Sequence, residues 1–165
     1  MTKGDQREKH FRQCAGELYP MLWRLSGAYA SGSDRDDLVQ EMLVTIWSKL
    51  PQFEARSKLS TWSWKVAFYT AMNWKRKQGR QLQTEPIEHA ASTSQPDNPA
   101  ADRLERVYSA LRRLPELDRS VLLMALEEMS RREMADNLGI RENAVQVRLH
   151  RARRRLNEEM ERTEA

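Results

Sequence analysis

The sequence holds one cysteine and three histidines in 165 residues. Cys14 alone closes no internal disulfide and excludes any multi-cysteine zinc site. His10, His89 and His150 lack the spacing that brings two imidazoles to one metal. Six glycines are present, none in a GxxxxGK[ST] or GxGxxG arrangement, so no phosphate-cradling loop is evident. No apolar run approaches the roughly 18 residues of a membrane-spanning helix. The opening MTKGDQREKHFRQ has no apolar core of a secretory signal. Asp34, Asp36 and Asp37 read as helix-start carboxylates rather than a metal cage. No nucleophile–base pairing stands out. The expectation is a cytoplasmic protein of a reducing compartment. It is not an enzyme, needs no cofactor or metal, takes no small-molecule substrate and does not insert into membranes.

Charge is what the chain has in abundance. Charged residues make up 32% against 39% hydrophobic, and the net charge is +4. That average hides a strong asymmetry. Residues 65–80 carry five basic and no acidic side chains, and residues 141–155 carry six arginines and one glutamate. The other 134 residues therefore net −6. Between the two basic stretches, residues 80–100 (RQLQTEPIEHAASTSQPDNPA) contain three of the six prolines and almost nothing to bury. This composition predicts a flexible linker between two small domains, 1–79 and 101–165.

Helical periodicity recurs throughout, giving an all-α fold class. Phe11, Ala15, Leu18, Leu22, Leu25 and Tyr29 fall at three- and four-residue steps, with Pro20 expected to kink or split that helix. Ser33 and Asp36 are expected to cap a second helix with apolar face Leu38, Val39, Met42, Leu43, Ile46, Trp47 and Leu50. After a loop at 51–59, a third helix is expected from about Ser60 to Gln78. The second domain opens with helices near 101–114 and 117–127.

The region around Gly139 is more specific. Ser130 and Glu133 stand at capping-box spacing, Met134, Ala135 and Leu138 make a buried face, and Gly139 supplies a left-handed turn. The following helix buries Val145, Leu149, Ala152 and Leu156. Short helix, glycine turn and longer helix is the geometry that lays a second helix in the DNA major groove. On its outer face Arg141, Asn143, Gln146, Val147 and His150 are candidates for base edges. Arg148, Arg151, Arg154 and Arg155 are candidates for phosphates. Taken alone, the same residues also describe an ordinary amphipathic helix with a solvated basic face.

In the first domain, Lys65, Tyr69, Met72, Arg76 and Arg80 fall on one helical stripe. A basic stripe bearing an aromatic ring suits nucleic acid with unstacked bases. The plainer reading places Trp62, Trp64 and Trp74 in a small helical core.

The chain resembles the extracytoplasmic-function group of bacterial RNA polymerase sigma factors. DLVQEMLVTIWSKLPQFEARSKLSTWSWKVAFYTAMNWKRK is similar to region two of that family. LRRLPELDRSVLLMALEEMSRREMADNLGIRENAVQVRLHRARRRL is similar to region four. The resemblance implies a two-domain factor that binds core RNA polymerase and promoter DNA. It also implies an inhibitory anti-sigma factor as partner. Asp37, Gln40 and Glu41 would then meet the polymerase. Phe53, Arg56 and Lys58 in the loop, with Lys65, Tyr69 and Arg76 on the next helix, would contact the minus-ten element. The recognition helix would read the minus-thirty-five element. Only about ten residues follow that helix, so no third regulatory domain is expected. The chain departs from the family at Tyr69, where Asn is common, at Gln146, where Lys or Arg is common, and at Val147, where Ser is common. A free-standing helix-turn-helix regulator, and a sigma-like interaction protein that does not read promoters, are the alternatives the residues leave open.

Overall fold

The computed structural model describes residues 3–81 and 98–164. These form seven α-helices and one 3-10 turn, with no strand among the described residues. They divide into two compact units, at Ser94/Gln95. The central part of the expected linker, residues 82–97, lies outside the described residues. Its expected edges are helical: Arg80 and Gln81 belong to one helix, and Pro99 and Ala100 open the next.

The first unit contains α1 (Lys3–Gly27), α2 (Gly32–Lys49), a 3-10 turn (Leu50–Gln52) and α3 (Leu59–Gln81). All three helices pack on one another. Leu22, Leu38, Met42, Ile46, Ala67, Phe68 and Ala71 are fully or almost fully buried. Ala67 and Ala71 have no bulk, which lets α3 approach closely. Trp64 stacks on Phe68 with centroids 5.0 Å apart, and burying each such ring contributes roughly 1.5–3 kcal/mol.

Two expectations are corrected here. Pro20 does not split α1, which is one uninterrupted helix. Pro20 and Gly16, whose carbonyl the proline leaves without its helical partner, are both exposed. The second helix starts at Gly32 after Ser31, not after Ser33. The chain turns at Gly32 with φ 57°, a conformation glycine adopts without steric cost.

A buried cation joins α1 to α2. Arg35 Nη2 donates to the Trp23 carbonyl at 2.6 Å, and its guanidinium lies 3.9 Å from the Trp23 ring centroid. Its Nε donates to Ser26 Oγ at 3.3 Å. Carbonyl, hydroxyl and ring face replace the water that burial removed.

The second unit contains α4 (Pro99–Arg113), α5 (Glu116–Leu126), α6 (Arg131–Leu138) and α7 (Glu142–Glu164). Asn98 caps α4 by accepting from the Ala100 N–H. α7 packs against each of the other three helices. Tyr108, Leu111, Val121, Met124, Met134, Val145 and Ala152 form the core. α7 is longer than expected and continues from the recognition segment to Glu164.

Candidate nucleic-acid interface

The helix-turn-helix is closed by local hydrogen bonds. The Glu133 N–H donates to Ser130 Oγ at 3.2 Å, and the Ser130 N–H donates back to a Glu133 carboxylate oxygen at 2.8 Å. Gly139 takes φ 64° and ψ 33°, and its N–H and that of Ile140 both return to the Ala135 carbonyl. These bonds end α6 and redirect the chain into α7. Met134, Ala135, Val145 and Ala152 then pack inward, which turns the opposite face of α7 outward.

Asn143, Gln146, Val147 and His150 are exposed on α7, and Arg141 is exposed directly before it. Asn143, Gln146, Val147 and His150 share one surface with Arg151. Val147 is 51% exposed, an apolar side chain suited to a thymine methyl rather than to water. Gln146 is not isolated there: its Oε1 accepts from Arg131 Nη1 at 2.8 Å.

The arginines of α7 fall into two groups. Arg151 and Arg154 are exposed, with Arg154 Nε 3.6 Å from Glu158. Arg148 and Arg155, both expected to meet phosphates, turn to Asp118. Arg148 Nη1 lies 3.5 Å from Asp118 Oδ1, and Arg155 Nη1 hydrogen-bonds Asp118 Oδ2. The Asp118 side chain is fully buried. A carboxylate removed from water requires opposite charge. Arg148 and Arg155, seven residues apart on one face of α7, supply it from both sides.

In the first unit, a shallow groove of about 340 Å³ runs between α2 and α3. Tyr69, Asn73, Arg76, Lys77 and Arg80 line one side, and Glu41, Thr45 and Lys49 the other. Tyr69 is 45% exposed. Asn73 and Lys77 are absent from the sequence-based set, although their four-residue steps from Tyr69 were a usable signal. Lys65, one turn before Tyr69 on the same helix, is half-buried.

The loop before α3 is partly used by the fold itself. Phe53, expected at the minus-ten element, packs on Trp62 with centroids 5.4 Å apart. Arg56 Nε pairs with Glu54 at 2.7 Å. Lys58 is exposed, and its carbonyl accepts from the Trp62 N–H at the start of α3. Trp64 and Trp74 are core residues, as the plainer reading held.

On α2, Asp37 and Gln40 are exposed, while the half-buried Glu41 lies 3.8 Å from Lys77 Nζ. Val44, missed from sequence, is 66% exposed and continues the same stripe. Its position three and four residues beyond Glu41 and Gln40 gave the signal. Cys14 is half-buried on α1, and burial, then the nearby Glu17 carboxylate, pushes its thiol pKa up. Among the described residues, no cluster of His, Cys, Asp and Glu could hold a metal ion. No described helix is long and apolar enough to cross a membrane.

Two helical units, one carrying an exposed recognition helix after a capped glycine turn, define a helix-turn-helix DNA-binding protein. Comparison with known proteins gives the family. Residues 11–81 match Sigma-70 region 2, and residues 104–156 match Sigma-70, region 4. The ECF RNA polymerase sigma factor SigF of Caulobacter vibrioides is 34% identical over 143 residues, covering 86% of this chain and 77% of the relative. The ECF RNA polymerase sigma-E factor of Haemophilus influenzae is 30% identical over 139 residues, covering 76% and 74% respectively. The sigma factor RpoE of Bartonella quintana, solved with the anti-sigma factor NepR, has a TM-score of 0.73 at 26% identity. That structural match covers 93% of this chain and 98% of the solved one. The chain belongs to the extracytoplasmic-function sigma factors and directs promoter-specific initiation by RNA polymerase.

Proposed function

We propose that the two units divide promoter recognition between duplex and melted DNA. The single observation that carries this division is the exposed row Asn143, Gln146, Val147 and His150 on α7. These side chains read the minus-thirty-five duplex, with Arg141 at the helix start. Arg151 and Arg154 hold phosphates, while Arg148 and Arg155 act mainly through Asp118. In the first unit, Tyr69 and Arg76 engage the minus-ten strand with Asn73 beside them. Arg56 and Lys58 border that strand, and Lys65 and Phe53 support it from within. Base stacking on Tyr69 contributes roughly 1–3 kcal/mol, enough to offset much of the cost of extruding a base.

The stripe Asp37, Gln40, Glu41 and Val44 meets core polymerase, with one apolar side chain among polar ones. The domain assignments follow: residues 1–79 for polymerase and minus-ten binding, and 101–165 for minus-thirty-five binding. An anti-sigma factor is the regulatory partner, by analogy with the RpoE relative bound to NepR. The protein acts in the cytoplasm and contributes binding rather than chemistry.

Transcription by the reconstituted holoenzyme tests the division. Gln146→Ala is expected to cost about 1–3 kcal/mol at one base pair. Arg154→Ala is expected to weaken every promoter alike and to flatten the salt dependence. Equal effects of both substitutions on every promoter would overturn the split between bases and phosphates.

A further inference from the structure

Gln146 is the one candidate base reader whose side chain is held by a different helix through a hydrogen bond described above. Arg131 is the first residue of α6, directly after the Ser130 cap. Its Nη1 donates to Gln146 Oε1 at 2.8 Å across fifteen residues of sequence. Both ends of this contact stand on fixed supports. The Ser130–Glu133 capping box sets the start of α6. Asp118 grips α7 through Arg148, two residues after Gln146, and Arg155, two turns further on.

The chemistry of the contact has a direction. A glutamine amide offers one acceptor oxygen and one donor NH₂, and its two orientations are nearly isosteric. Unrestrained, such a side chain serves acceptor and donor edges alike. A guanidinium has donors only. It therefore holds the oxygen and excludes the flipped amide, which would set NH₂ against N–H.

We infer that Arg131 is a specificity-determining positioning residue that fixes Gln146 as a hydrogen-bond donor to the major groove. The inference rests on the reading that Gln146 faces a base. With its NH₂ outward, Gln146 matches purine N7, guanine O6 and thymine O4. Cytosine presents only its N4 amino donor in that groove and is rejected. Adenine is then held through N7.

The test uses the full chain with core RNA polymerase on promoters whose upstream element is randomised, with transcripts counted by sequencing. The wild-type protein is expected to disfavour cytosine at one position by about tenfold or more. Arg131→Met keeps the aliphatic stem and removes the donors. It is expected to relax that discrimination about three- to tenfold and to leave base preferences at other positions unchanged. Gln146→Ala abolishes the discrimination, and Arg131→Met adds no further base-specific change in that background. If Arg131→Met lowers all promoters uniformly and the cytosine discrimination survives, Arg131 is a phosphate contact and the inference is overturned while Gln146 keeps its role. If Gln146→Ala leaves every base preference intact, the reading of Gln146 itself falls, and the inference with it.

Discussion

Asp118 makes an unusual demand on the second unit, and its removal has a calculable consequence. Its carboxylate is fully buried, whereas the Arg148 and Arg155 side chains are 37% and 42% exposed. Asp118→Ala forfeits hydrogen bonds between charged groups, each contributing about 1.5–3 kcal/mol. It also removes the desolvation penalty of the carboxylate, several kcal/mol, and lets two part-exposed guanidiniums return to water. The net loss is about 1–3 kcal/mol. The reverse deletion is worse: Arg148→Ala with Arg155→Ala strands a buried charge, at a cost of about 3–5 kcal/mol. Adding Asp118→Ala to that double variant removes the stranded charge and is expected to restore stability. All five tryptophans (Trp23, Trp47, Trp62, Trp64 and Trp74) lie in the first unit. Urea unfolding followed by tryptophan fluorescence therefore reports that unit alone, and far-UV circular dichroism reports both. The dichroism transition should shift while the fluorescence midpoint holds. A double arginine variant no less stable than Asp118→Ala, or a triple variant without recovery, would refute the reasoning.

Further expectations concern the turns, the buried cation and the lone thiol. Gly139→Ala should destabilise the second unit by about 1–2 kcal/mol, and Gly139→Asn by less, as read by circular dichroism melting. Open space around the glycine leaves backbone conformation as the whole cost. Arg35→Lys should lower the first unit's stability by about 1–2 kcal/mol, because an ammonium loses the planar stacking on Trp23 and one of the two hydrogen-bonding directions; the fluorescence midpoint in urea reports this. Cys14 should alkylate more slowly than a free thiol near neutral pH, with a rate that climbs on raising the pH toward and beyond the ordinary thiol range. Glu17→Gln should speed it, since a nearby negative charge that disfavours the thiolate is gone.

What was legible in the sequence was local. Ser130 with Glu133, and Gly139 after an apolar face, are signals whose geometry is complete within ten residues, and the turn forms as they require. The leucine spacing likewise identified the helices and most of the buried faces. Non-local pairings were out of reach. Asp118 finds Arg148 and Arg155 across 30 and 37 residues, and periodicity does not encode which side chains meet when α5 crosses α7. The bonds of those two arginines to Asp118 were missed for that reason, and so was the packing of Phe53 on Trp62. Some backbone turns were equally hidden. Two residues past α5, Glu128 takes φ 55°, and the Met129 N–H returns to the Met124 carbonyl. No glycine marks that turn, whereas Gly32 marks a turn that Ser33 seemed to own.

This chain confers promoter choice on RNA polymerase. Core polymerase with the full-length protein should be given fragmented genomic DNA from the source bacterium, and the 5′ ends of the transcripts sequenced. The expected outcome is a small set of start sites that share an upstream duplex element and a minus-ten element, and that disappear without the protein. Start sites unchanged from those of core polymerase alone would contradict it.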